Sequence, residues 1–138
     1  MDPIARTAPL LTMALAASLM TACAKEPGVG GRAEIHGHVY VKEVNKDTGL
    51  PTGVEYYAPE YRVYIIYGDH ATFDDDTRTG PDGGYKFSWL RKGDYTLFAY
   101  SECPNDCESG QQPIYAPVSI GTKSEVFEVP DIVVEDWK

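Results

Sequence analysis

The chain is poor in cations, in cysteine and in long apolar runs. Twelve lysines and arginines stand against twenty-one aspartates and glutamates in 138 residues, a net charge of −9. A surface of that sign repels polyanions and no basic stretch offsets it, so no nucleic-acid partner is expected. Asp2 and Arg6 are the only charges in residues 1–22, so removing that stretch leaves the balance unchanged. Beyond residue 22 no apolar run approaches the about 20 residues needed to cross a bilayer. Nor does any apolar stripe recur there with the period of a helix. No Gly-x-Ser-x-Gly occurs, and no serine or cysteine has an evident histidine partner, so no catalytic activity and no cofactor are expected.

What is abundant is tyrosine, glycine and proline, at ten, thirteen and ten residues. That mixture favours strands punctuated by turns. The stretch 83–101, GGYKFSWLRKGDYTLFAYS, organises the rest. Tyr85, Phe87 and Trp89 alternate with Lys86 and Ser88, the period of a half-buried strand with those three rings inward. Residues 90–94 form a corner, and Tyr95, Leu97 and Ala99 resume the alternation. The spacing Leu90-x-x-Gly93-x-Tyr95 suits a tyrosine corner, in which the ring enters a sandwich core and the hydroxyl bonds backbone a few residues upstream.

The remaining strands are expected from Ala33 through Val41, at Val63–Tyr67 in a central position, and briefly near Asp76–Thr79 at an edge. Two more follow, at 114–120 and at 126–134, the last broken by Pro130. Residues 55–62, aromatic and interrupted by Pro59, read as an irregular or edge segment. The pattern predicts an all-β fold, a single Greek-key β-sandwich of about seven strands.

The N-terminus carries a leader. Arg6 precedes an uncharged apolar run at 8–20, too short to span a membrane and suited to a signal peptide. The run ends Met20-Thr21-Ala22-Cys23, which resembles the bacterial lipoprotein box, with Met where the box usually has Leu. The resemblance implies cleavage before Cys23 and acylation of that cysteine; the alternative is an ordinary signal peptide cut near Ala22 or Ala24. Two or three acyl chains would anchor the protein stably to a membrane. The expected division is therefore a leader at 1–22, a lipidated Cys23 with a flexible tether at 23–32, and a domain at 33–138. The expected location is a bacterial cell envelope, with the outer membrane favoured in a Gram-negative cell. Lipid on Cys23 would leave Cys103 and Cys107 as a pair. An oxidising compartment favours a disulfide between them over a metal site, since the three-residue spacing is unusual for zinc and no histidine is near.

Asp47-Thr48-Gly49-Leu50-Pro51-x-Gly53-Val54 and Thr77-x-Thr79 lead into Asp82-Gly83-x-Tyr85-x-Phe87-x-x-Leu90-x-x-Gly93-x-Tyr95. Together with Val129-Pro130-Asp131-Ile132-Val133, these motifs resemble the transthyretin-like (prealbumin-like) sandwich of bacterial carboxypeptidase-regulatory-like and Cna-B-type domains. The likeness spans roughly residues 33–135 and is most specific in the middle. It implies a non-catalytic interaction or structural module; such a fold fixes no ligand.

Candidate sites are few. His36 and His38 share one face of a strand, which is more often solvated than metal-binding. Asp69, Asp74, Asp75, Asp76 and Asp82 could collect calcium across residues 69–82, although the regular ligand spacing of a calcium loop is missing. Lys42 and Asp131 are the nearest approach to an isopeptide pair, but alternation turns Lys42 to solvent. Tyr56, Tyr57, Tyr61 and Tyr64 could form a platform for sugar rings, which makes a carbohydrate-binding module the alternative reading. For an interaction domain with a protein or glycan partner, the surface is expected in two segments. One is 55–62, with Tyr56, Tyr57 and Tyr61; the other is the cysteine loop 102–112.

Overall fold

The computed structural model describes residues 26–138, so the leader and Cys23 lie outside the described residues. Nine strands follow in chain order: β1 (Val29–Val44), β2 (Pro51–Tyr57), β3 (Arg62–Tyr67), β4 (Asp75–Arg78), β5 (Gly84–Leu90), β6 (Gly93–Glu102), β7 (Gln111–Ile120), β8 (Val126–Glu128) and β9 (Ile132–Trp137). They form an all-β fold of two sheets, one of five strands and one of four in the order β4-β3-β6-β7.

The five-stranded sheet is built on β1. Its first half pairs antiparallel with β5 and parallel with β8, and its second half antiparallel with β2 and parallel with β9. Alternation along β1 turns Ala33, Ile35, Val39 and Val41 inward against Val63 and Ile65 of β3 and Tyr95, Leu97 and Ala99 of β6. Gly37 occupies one inward position because the Tyr85 ring fills the space; a Cβ there would lie 2.3 Å from the Tyr85 hydroxyl.

Four expectations change. The strand total is nine rather than seven, partly because Pro130 lacks an N–H and splits the last run into β8 and β9. Of the two readings of 55–62, the edge one holds for residues 55–57, which end edge strand β2, and the irregular one drops out there.

The third change is at the N-terminus, where the domain starts earlier than Ala33. β1 begins at Val29, the Gly28 N–H is bonded to the Tyr95 hydroxyl, and the Gly28 carbonyl accepts the Arg91 N–H. Residues 28–32 are thus part of the sandwich, not tether.

The fourth concerns Trp89, which is exposed rather than in the core. Ile35 faces Phe87 and Ala33 faces Leu90, so two steps of β1 match three of β5. The extra residue makes a bulge, Trp89 takes φ +60°, and Leu90 drops into the inward place instead.

Candidate functional site

Short links from several strands fix one end of the sandwich. After β2, the Ala58 N–H donates to the Val39 carbonyl. The buried Thr79 hydroxyl donates to the Ala58 carbonyl and accepts the Tyr61 N–H, which holds the 58–61 corner closed. The Tyr61 hydroxyl reaches across to donate to the Tyr100 carbonyl of β6. Beyond β6, Cys103 and Cys107 form a disulfide with Cα atoms 5.4 Å apart, and the Cys103 N–H donates to the Gly110 carbonyl. β9 is tied to the same end by the Glu135 N–H on the Ser101 hydroxyl and the Trp137 N–H on the Glu102 carboxylate.

Three shallow cavities of about 350, 350 and 400 Å³ open here and run into one another. Gln111 is shared by the first and second, Tyr61 by the second and third, and Glu102 by the first and third. Segments 55–62 and 102–112 therefore meet at one end, a proximity the sequence left open. The largest cavity has an apolar floor of Val41, Ala58 and Val134, with Tyr56 and Tyr61 beside it and Glu102, Glu135 and Asp136 on the rim. Burial, with Glu102 and Asp136 nearby, pushes the Tyr61 hydroxyl up to about 12, so it remains a donor at any physiological pH.

The three tyrosines do not act as one surface. Tyr56 and Tyr61 line this groove, but Tyr57 points to the outer face of the five-stranded sheet. There it meets Tyr40 edge-on at 5.0 Å and His38 at 5.3 Å, and its hydroxyl donates to Asp131. The Tyr40 hydroxyl donates likewise to Glu55. Each carboxylate raises its tyrosine's pKa by favouring the protonated hydroxyl it accepts from.

Tyr64 belongs to a different group that the sequence did not single out. On the outer face of the four-stranded sheet, Tyr64, Phe98 and Tyr115 stand opposite one another across β3, β6 and β7. Tyr64 and Phe98 stack at 4.9 Å, Phe98 and Tyr115 lie 5.6 Å apart, and Phe73 and Tyr100 close on Tyr64 edge-on. Phe98 is almost wholly covered by its neighbours, whereas Tyr115 is 60% exposed, Phe73 48% and Tyr100 40%. The cluster borders the groove through Tyr64 and Tyr100, with Glu60, Arg62 and Gln111 beside them. Its signal was present in residues 97–100, Leu-Phe-Ala-Tyr, which are apolar in both phases, as in a strand with apolar groups on both faces.

The histidines, and the aspartates of 69–82 other than Asp69, are occupied locally. His36 bonds Glu34 at 2.9 Å, His70 bonds Asp74 at 2.8 Å, and His38 approaches Asp82 at 4.0 Å. Asp74 also accepts the Tyr67 N–H, Asp76 pairs with Arg62, and Asp82 accepts the Gly84 N–H. Among the described residues no group of three or more His, Cys, Asp or Glu side chains could hold a metal ion. The calcium reading of 69–82 therefore has no ligand set to stand on. Lys42 faces solvent on β1, as its alternation requires.

These residues define an all-β domain of two sheets with an open aromatic face and an adjoining shallow groove. No protein-family model and no curated protein matches the chain. Among solved structures it is similar to that of a candidate carbohydrate-binding protein from Pseudomonas aeruginosa. The identity is 9% and the TM-score 0.49, over 82% of this chain and 93% of that one.

Proposed function

We propose that this protein is a non-catalytic carbohydrate-binding module of a bacterial cell envelope, secreted through residues 1–22 and anchored by lipid on Cys23. In a Gram-negative cell the anchor would lie in the outer membrane. Its sandwich is read as the Greek-key, transthyretin-like type that the motifs at 47–54, 77–95 and 129–133 resemble. The observation carrying the function is the aromatic cluster in which Phe73, Tyr100 and Tyr115 stand exposed around Tyr64 and Phe98, continuous with a polar groove.

Exposed rings gathered on one face mark a contact surface, whereas apolar residues scattered singly over a surface call for no such explanation. Tyrosine offers broad contact at low side-chain entropy, and its ring suits the C–H face of a pyranose. Glu60, Arg62, Gln111 and the groove carboxylates supply the hydrogen bonds that orient sugar hydroxyls. The acidic surface favours neutral glycans over polyanionic ones.

A glycan array followed by calorimetry tests this. Tyr100→Ala with Tyr115→Ala should weaken binding at least about tenfold, the loss of roughly 1.4 kcal/mol, with an unchanged thermal midpoint. Tyr57→Ala, on the opposite sheet, should bind as the parent does. Full binding by the double variant, or no glycan bound by the parent, would sink the assignment.

A further inference from the structure

We infer that the end of the sandwich where the chain enters is a membrane-contact surface, with Trp89 and Val29 meeting the lipid interface and Arg32, Arg91 and Lys92 meeting its headgroups. The inference rests on the lipid-anchor reading of Cys23.

Three observations carry it. The first is reach. Pro27 lies against Gly68 and Gly93, and Gly28 is bonded to Tyr95 and Arg91, so the chain is fixed to the domain from Pro27 onward. Cys23 precedes Glu26 by three residues, at most about 10 Å of extended chain. A lipid on that cysteine would hold this end against the bilayer rather than lift the domain away from it.

The second is Trp89. At 69% it is more exposed than any other large apolar side chain among the described residues, and Val29, opposite Leu90 in the ladder, is 57% exposed. Trp89 stands outward on a positive φ, a conformation costly to an aromatic residue, while the smaller Leu90 fills the core. A tryptophan held in solvent at the cost of strain is poorly explained by folding. The water–lipid interface is where its amphipathic ring is favoured.

The third is charge. Arg32 and Lys92 are exposed, Arg91 half-exposed, and none of the three makes an ion pair among the described residues, whereas Arg62 and Lys138 do. The nearby carboxylates are turned to other donors: Asp94 accepts the Ser119 hydroxyl and Glu125 the Gly121 and Thr122 N–H groups, while the Arg91 guanidinium reaches the Glu26 carbonyl rather than a carboxylate. In a chain of net charge −9 this is a local gathering of cations without ion-pair partners. It suits an anionic headgroup layer and would not by itself bring together two such acidic chains.

The two tryptophans provide the test. Leu90 pairs with Ala33 and Trp137 with Val44, so the tryptophans mark opposite ends of β1, eleven steps or roughly 36 Å apart. The chain 23–138, with its disulfide intact, is coupled through the Cys23 thiol to a maleimide lipid in phosphatidylglycerol-containing vesicles. Brominated acyl chains then serve as the quencher. In Trp137→Phe protein the Trp89 emission should move to the blue and lose at least half its intensity; in Trp89→Phe protein the Trp137 emission should not change. Arg32→Glu with Lys92→Glu should restore the Trp89 emission. Equal quenching of both tryptophans, quenching of neither, or Trp89 shielding that instead follows self-association in lipid-free solution would overturn the surface. The anchor is judged separately, by fractionating cells that make Cys23→Ser protein: release from membranes supports the anchor, and retention counts against it, whatever Trp89 does on the coupled vesicles.

Discussion

Tyr95 holds the chain's entry to its centre with one hydroxyl. It accepts the Gly28 N–H at 2.9 Å and donates to the Arg91 carbonyl at 2.7 Å, and the ring is 1% exposed. Tyr95→Phe keeps the ring and strands two backbone groups. It should lower stability by about 1–2 kcal/mol, read as a reduced urea midpoint with an unchanged slope. Tyr61 makes a different prediction. Its hydroxyl is held near 12 in the fold but ionises near 10 when unfolded. The unfolded chain therefore sheds a proton first. The contribution is whole below about pH 10 and is lost as pH rises through about 12. Tyr61→Phe should flatten the fall in urea midpoint across that window; a slope equal to the parent's would mean the group titrates freely. Tyr95 was legible in the sequence because a corner depends on spacing within a few residues. Trp89 was not, because the bulge that exposes it is set by the register of β5 against β1, more than fifty residues earlier.

At the scale of elements, β1 carries both the successes and the misses. Its alternation from Ala33 to Val41 was readable, and so were the central place of β3 and the edge place of β4. Its first turn was not readable, since residues 28–32 hold glycine and charge but no apolar period. Their order comes from partners distant in sequence: Gly31 sits so close to Leu90 that a Cβ would lie 2.0 Å from the Leu90 carbonyl oxygen. A chain beginning at residue 33 should therefore lose at least about 2 kcal/mol, from the two backbone bonds of Gly28 alone. A chain beginning at residue 26 should melt as the mature protein does. Equal stability of the two would return residues 28–32 to the tether. The aromatic face was half legible for a related reason. Phe98 and Tyr100 announce an apolar outer phase, but only strand order brings Tyr64 and Tyr115 to their sides.

Taken whole, the molecule has two unlike ends joined by one strand. The proposed lipid contact lies where β1 starts, while the groove and the edge of the aromatic face lie toward where it finishes. A ligand fixed to something outside the cell would pull on this arrangement, with the anchor resisting from the N-terminus. The force would then run lengthwise along β1. That strand is hydrogen-bonded on both sides, to β5 and β8 in its first half and to β2 and β9 in its second. Those bonds lie across the direction of pull, so drawing β1 out would shear many at once instead of peeling them singly. With the proposed anchor and ligand in place, the two parallel neighbours on β1 would make the domain a stiff mechanical link between them.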